Sequence, residues 1–150
     1  MISVYADGSS TGRSHREGGW AYVICQNGAP LYSDYGGSAS TTNNLMEVQA
    51  AIEGLRGLEK VIDSIWVKGE EIELVSDSRY CLNMAAGLNT PNTNLEQVRA
   101  LRSLYLKLCT GFRWVPGHKG DIFNERCDSL AKRGKDEAAA TMTKLTNGDK

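Results

Sequence analysis

Hydrophobic and polar positions alternate in residues 2–7 (ISVYAD) and again in residues 31–40 (LYSDYGGSAS), the period-two pattern of strands. Between them, residues 18–25 (GGWAYVIC) form a second β-rich run. Asp7 and Gly8 begin a turn signal, so the first strand is expected to end at Asp7 with Gly8 letting the chain turn sharply. Asn27-Gly28 suits a hairpin turn after the second run. The three segments predict an antiparallel meander. The period then changes. With roughly 100° of rotation per residue, Leu45, Val48, Ala51, Ile52, Leu55 and Leu58 fall within one apolar arc of a helix. Thr42 or Asn43 is its cap, and it runs to about residue 60. Glu47 lies just outside the arc, beside Ala51 and Leu58, where a solvated flank is the simplest reading. Residues 61–71 either extend this helix or form a longer connection.

The second half alternates strands and helices. Residues 72–77 (IELVSD) are the short aliphatic run of a buried parallel strand. Residues 78–88 form a short helix stopped by Gly87, and residues 89–94 a loop. Apolar residues at 95, 98, 101, 104, 105 and 108 predict an amphipathic helix. Residues 111–117 (GFRWVPG) are a fifth strand ended by Pro116-Gly117, and a final helix spans residues 123–140. The order is β-β-β-α-β-α-α-β-α: an α/β fold with a mixed five-stranded sheet flanked by helices, its later strands joined by parallel crossovers. Residues 1–140 read as one domain, and residues 141–150 as a flexible C-terminal tail.

Composition narrows the classes. With 150 residues, 41% hydrophobic and 23% charged, the chain holds one core and is not disordered. A net charge of −1 gives no global attraction for nucleic acid, so any such binding rests on local patches. The four cysteines (Cys25, Cys81, Cys109, Cys127) are scattered, with no C-x-x-C pair, and read as reduced thiols rather than a zinc site. No signal peptide or membrane-length apolar run is present, so a cytoplasmic protein is expected.

Acidic residues recur where strands end. Asp7 closes the first predicted strand and Asp77 the fourth; if those strands are neighbours, both face one crevice beyond the sheet. Singly, Asp7 is a turn residue, Asp77 an N-cap, and Glu47 and Asp128 flanking acids. Converging without an interleaved Lys or Arg, four carboxylates would repel one another unless cations bound. Hard oxygen ligands at that density suit Mg²⁺ or Mn²⁺. Two such ions roughly 4 Å apart can hold the attacking and leaving oxygens of a phosphoryl displacement.

The ordered set YADGSS, GGWAYVI, TTNNLMEVQAAI, VSDSRY and WVPGHKGDIFNERCDSLA resembles ribonuclease H of type 1 over residues 2 to 133. The resemblance implies an endonuclease that hydrolyses the RNA strand of RNA–DNA hybrids with two Mg²⁺ ions, Mn²⁺ substituting, and leaves 5′-phosphate and 3′-hydroxyl ends. It implies that Asp7, Glu47, Asp77 and Asp128 form the metal-binding set, Asp7 bridging both ions. Asp128 would hold the nucleophile-side ion, and Glu47 and Asp77 the leaving-group-side ion. His118 would sit on a mobile loop, shuttling a proton or assisting product release. Asn43 and Asn44 would contact the hybrid's minor groove and Thr42 a DNA phosphate, with Ser10 a further substrate contact. Asn124 and Glu125 would support the site. The expected partner is hybrid nucleic acid, with no membrane, and the protein is expected to be monomeric.

Three features depart from the pattern. Many bacterial members carry a basic protrusion where this chain has only AAGLNTPNTNLEQ, without Lys or Arg, which implies a weaker grip on the hybrid. Arg13, His15 and Arg16 give the first loop a basic patch that could touch phosphates, or simply be solvated. Arg79 stands where Gln or an apolar residue is common, and either contacts nucleic acid or pairs with an acid. Lys132, Arg133 and Lys135 read as a solvated face. A DNA nuclease or resolvase on the same fold, or a non-catalytic nucleic-acid binder, is the alternative.

Overall fold

The computed structural model describes residues 1–12, 16–117 and 120–148. Strands β1 (Ile2–Ser10), β2 (Arg16–Gln26) and β3 (Ala29–Thr41) form the antiparallel meander. Asn27 and Gly28 make the β2–β3 turn with φ of 51° and 80°, the left-handed pair that matches strand twist. Helix α1 (Asn43–Ile65) starts at Thr42, whose hydroxyl accepts from the Leu45 amide at 3.2 Å. It continues through residues 61–65, which settles the segment that sequence left open. Strand β4 (Ile72–Ser76) leads into α2 (Arg79–Ala86), capped by Ser78 and ended by Gly87 at φ 74°. Helix α3 (Leu95–Leu108), strand β5 (Gly111–Trp114) and helix α4 (Ile122–Gly148) complete the chain.

The sheet order is β3-β2-β1-β4-β5, with β1–β4 and β4–β5 parallel. Alternation along β1 divides the core between the two faces. Ile2, Val4 and Ala6 pack with Val48, Ile52, Leu55, Leu82 and Leu101 under α1, α2 and α3. Tyr5 packs on the opposite face with Val75, Cys127 and Ala131 under α4. The predicted arc of α1 is buried from Val48 to Leu58, with Leu45 partly exposed. Helix α4 lies directly on the β2–β3 backbone. A Cβ at Gly19 would stand 1.9 Å from the Ala131 carbonyl oxygen, and one at Gly134 would stand 2.1 Å from that of Gly36.

Three expectations change. Strand β1 does not stop at Asp7 but runs to Ser10, and Gly8 is paired with Trp20 inside the ladder. Helix α4 continues through residues 141–148, where a tail was expected. Leu95, counted in the apolar stripe of α3, is exposed at that helix's first position. Among the described residues, no helix is long and apolar enough to cross a membrane.

Candidate active site

The parallel pairing of β1 with β4 aligns Tyr5 with Val75, and the same offset carried two residues further sets Asp7 beside Asp77. By strand alternation both carboxylates belong to the α4 face. On the other face Gly8 lets α1 come against the strand. A Cβ there would lie 2.3 Å from the Met46 carbonyl carbon and 2.4 Å from the Glu47 amide nitrogen. This approach puts Glu47 at the strand, where its Oε1 accepts a hydrogen bond from the Gly8 amide. Glu47 is therefore not a solvated flank: only 5% of it is exposed, against 4% for Asp7.

Ligand oxygens of Asp7, Glu47 and Asp77 all lie within 4.8 Å of one another. Asp128 belongs to the same crevice of about 390 Å³, whose lining includes Gly8, Asn43, Ser78 and Lys132, but it stands outside that tight trio. The Lys132 ammonium is 3.0 Å from Asp128 Oδ2, one helical turn along α4. Lys132 is exposed, as a solvated face implies, and it also borders the crevice, so among the described residues the acids have a cation at their margin. The i, i+4 spacing from Asp128 was the available sequence signal.

Burial, then the charge of Glu47 and the other acids, holds the Asp7 carboxyl far above the ordinary carboxylate range. Burial also lifts Glu47, partly offset by hydrogen bonds from Asp7 and the Gly8 amide. Asp128 raises the Lys132 ammonium in turn. Clustered oxygens, buried and under-neutralised, fit a hard divalent cation.

Asp77 is not the α2 cap, since the Ser78 hydroxyl accepts from the Cys81 amide at 3.0 Å. Its Oδ2 instead accepts from Asn124 Nδ2 at 3.3 Å, and its backbone carbonyl accepts from Trp114 Nε1 at 3.0 Å. Asn124 is 2% exposed, and its Oδ1 has no hydrogen-bond partner among the described residues. Asp121 caps α4 through the amides of Phe123 and Asn124. Glu125 accepts from the Gly120 amide at 3.2 Å, which links α4 to the segment just before it.

Asn43 and Asn44 are exposed at the start of α1. With Gly12, Thr42, Thr93 and Asn94 they line a neighbouring hollow of about 440 Å³, and Asn43 borders both spaces. Thr93 and Asn94 went unnoticed in sequence as plain loop residues. Ser10 donates to the Gly12 carbonyl at 3.2 Å. Arg16 pairs with Glu17 at 3.5 Å. Arg79 is exposed, and its guanidinium carbon lies 4.0 Å over the Trp114 ring. His118, Arg13 and His15 lie outside the described residues. Gly117, just before His118, borders the site: a Cβ on it would be 3.0 Å from Asp77 Oδ2.

A mixed sheet with a buried acid cluster just past the parallel pairing of β1 with β4, and helices on both faces, defines a ribonuclease H-like α/β domain with a candidate divalent-metal centre. The RNase H family model matches residues 1–136. The chain belongs to the RNase H family and is a hydrolytic nuclease. The ribonuclease H of Hahella chejuensis is 34% identical over 150 residues, spanning 91% of this chain and 95% of its own. That of Campylobacter concisus is 34% identical over 140 residues, spanning 88% and 90%. The solved structure of LC11-RNase H1 in complex with an RNA/DNA hybrid shares the fold, with a TM-score of 0.77 at 24% identity over 93% of this chain and 99% of that one.

Proposed function

We propose that this chain is an endonuclease that hydrolyses the RNA strand of RNA–DNA hybrids, leaving 5′-phosphate and 3′-hydroxyl ends. One observation carries the reading. Asp7, buried in β1 just past its parallel pairing with β4, lies beside Glu47 and Asp77, an arrangement that carries its full negative charge only when divalent cations enter. Asp7, Glu47, Asp77 and Asp128 would hold those cations, and hard oxygen donors favour Mg²⁺ with Mn²⁺ as substitute. When bound, such ions supply the positive charge that activates water and neutralises the scissile phosphate. LC11-RNase H1, solved with a hybrid bound, is a fold relative consistent with that substrate.

The chain's own residues divide the remaining work. Glu47 is fixed by the Gly8 amide and Asp77 by Asn124, so both carboxylates are oriented before substrate arrives. Asn43 and Asn44 present side-chain amides beside the acid crevice, suited to 2′-hydroxyls and minor-groove edges. Thr42 lines the hollow with both asparagines, and Thr42 and Ser10 are proposed substrate contacts. Gly117, which precedes His118 in sequence, borders the site, and His118 is proposed to shuttle a proton or to assist product release. Residues 1–140 would constitute the catalytic domain. A cytoplasmic location agrees with the buried free thiols of Cys25, Cys81 and Cys127, and the protein is proposed to act as a monomer.

The test is cleavage of labelled hybrid, duplex RNA, duplex DNA and single strands with Mg²⁺, with Mn²⁺ and with chelator. Metal-dependent cutting confined to the RNA strand of the hybrid is expected. DNA cleavage would favour a DNA nuclease, and tight binding without cutting in any metal would favour a non-catalytic binder.

A further inference from the structure

The acid crevice has to accept a polyanion, yet the cation that lines it among the described residues, Lys132, is already engaged by Asp128. Arg79 stands two residues beyond Asp77 at the first position of α2. It is exposed, and among the described residues no carboxylate pairs with it. What holds it is Trp114: the guanidinium carbon lies 4.0 Å over the indole ring. The ring is itself anchored. Trp114 pairs with Ser76 in the β4–β5 ladder, and its Nε1 donates to the carbonyl of Asp77. One aromatic side chain therefore touches both a site carboxylate residue and the arginine beside it.

A guanidinium held over an indole face by a cation–π contact keeps N–H donors free for a second partner, with less rotamer freedom left to lose on binding. Such donors suit a phosphodiester oxygen pair. We propose that Arg79, stacked on Trp114, is a preorganised clamp for a backbone phosphate of the nucleic acid crossing the crevice, with Trp114 as its positioning residue. The proposal rests on the hybrid-cleaving reading above. It supplies positive charge beside Asp77 in a chain without basic residues between α2 and α3.

Binding of a short labelled RNA–DNA hybrid under chelator, titrated over salt concentration, tests the clamp. Arg79→Gln should weaken binding about tenfold and reduce the slope of log affinity against log salt by about 0.9, equally for hybrids of different base sequence. Trp114→Leu should weaken binding about threefold in the native background and barely at all in Arg79→Gln, because the ring acts through the arginine. Trp114→Phe keeps an aromatic face while losing the hydrogen bond to Asp77, and should recover most of the loss. An unchanged slope in Arg79→Gln, additive losses in the double variant, or an effect that varies with base sequence would overturn the clamp while leaving the hybrid reading intact. A native protein that binds hybrid no better than duplex DNA would sink both. Replacing individual phosphates by methylphosphonates in the RNA or the DNA strand identifies which one the arginine meets.

Discussion

A carboxylate buried against two others is held there by the fold against its own electrostatics, so the isosteric Asp7→Asn change should stabilise the metal-free protein while ending catalysis. Removing one such repulsion is worth about 1–2 kcal/mol, which for a chain of this size raises the thermal midpoint by about 2–8 °C under chelator. The sign with pH follows from the same side chains. Asp7 and Glu47 both titrate higher in the folded protein than when unfolded, so the folded state retains protons that the unfolded chain releases near pH 4. Their contribution to stability is fully present below that pH and is lost as pH rises through the folded values. Denaturation series in chelator should show this decline in the native protein and a flatter profile in Asp7→Asn; identical profiles would contradict it. Asp77→Asn should likewise abolish turnover with the fold intact, as circular dichroism beside the hybrid assay would show. An active variant would remove Asp77 from the metal set.

The approach of α1 to β1 decides whether Glu47 reaches the cluster. At Gly8 an added methyl meets backbone atoms of Met46 and Glu47, so the helix itself must move. Gly8→Ala should cost about 2–4 kcal/mol and most of the activity, since Glu47 moves with the helix. At Gly111 nothing lies within 4 Å of the added carbon, and Gly111→Ala should be nearly neutral in urea titrations and in turnover. Comparable losses in the two variants would refute the packing argument. Gly8 also shows where sequence reading stops. Periodicity predicted each strand and helix among the described residues, and motif order singled out the four acids, because residue spacing is a local property of the chain. Asp-Gly after an alternating run, however, reads as a turn, and only the position of α1 reveals a glycine needed for close approach. The stack of Arg79 on Trp114 is similarly illegible, joining residues 35 apart through the pairing of β4 with β5. Residues 61–65 stayed open in sequence because their composition suits both helix and connection, and the structure continues α1 through them.

At the scale of the whole molecule, the chain must bind a polyanion with a net charge of −1 and no basic segment between α2 and α3. The cation nearest that connection serves the fold: Arg102 donates to the carbonyls of Met84 at 3.1 Å and Asn89 at 3.2 Å, pinning the loop that follows α2. Affinity for nucleic acid falls with salt in proportion to the number of phosphates neutralised, with a slope of about 0.9 per contact. A chain with about three such contacts loses roughly 40-fold in affinity between 50 mM and 200 mM salt, whereas six to ten contacts lose roughly 10³–10⁵-fold. The expected result for this protein is weak hybrid binding with a shallow salt dependence, read as KM in the cleavage assay over that range. A slope steeper than about 6 would require a basic surface beyond these contacts. Arg13 and His15, between β1 and β2 in sequence, would then be the residues to neutralise, since Arg16 is already paired with Glu17.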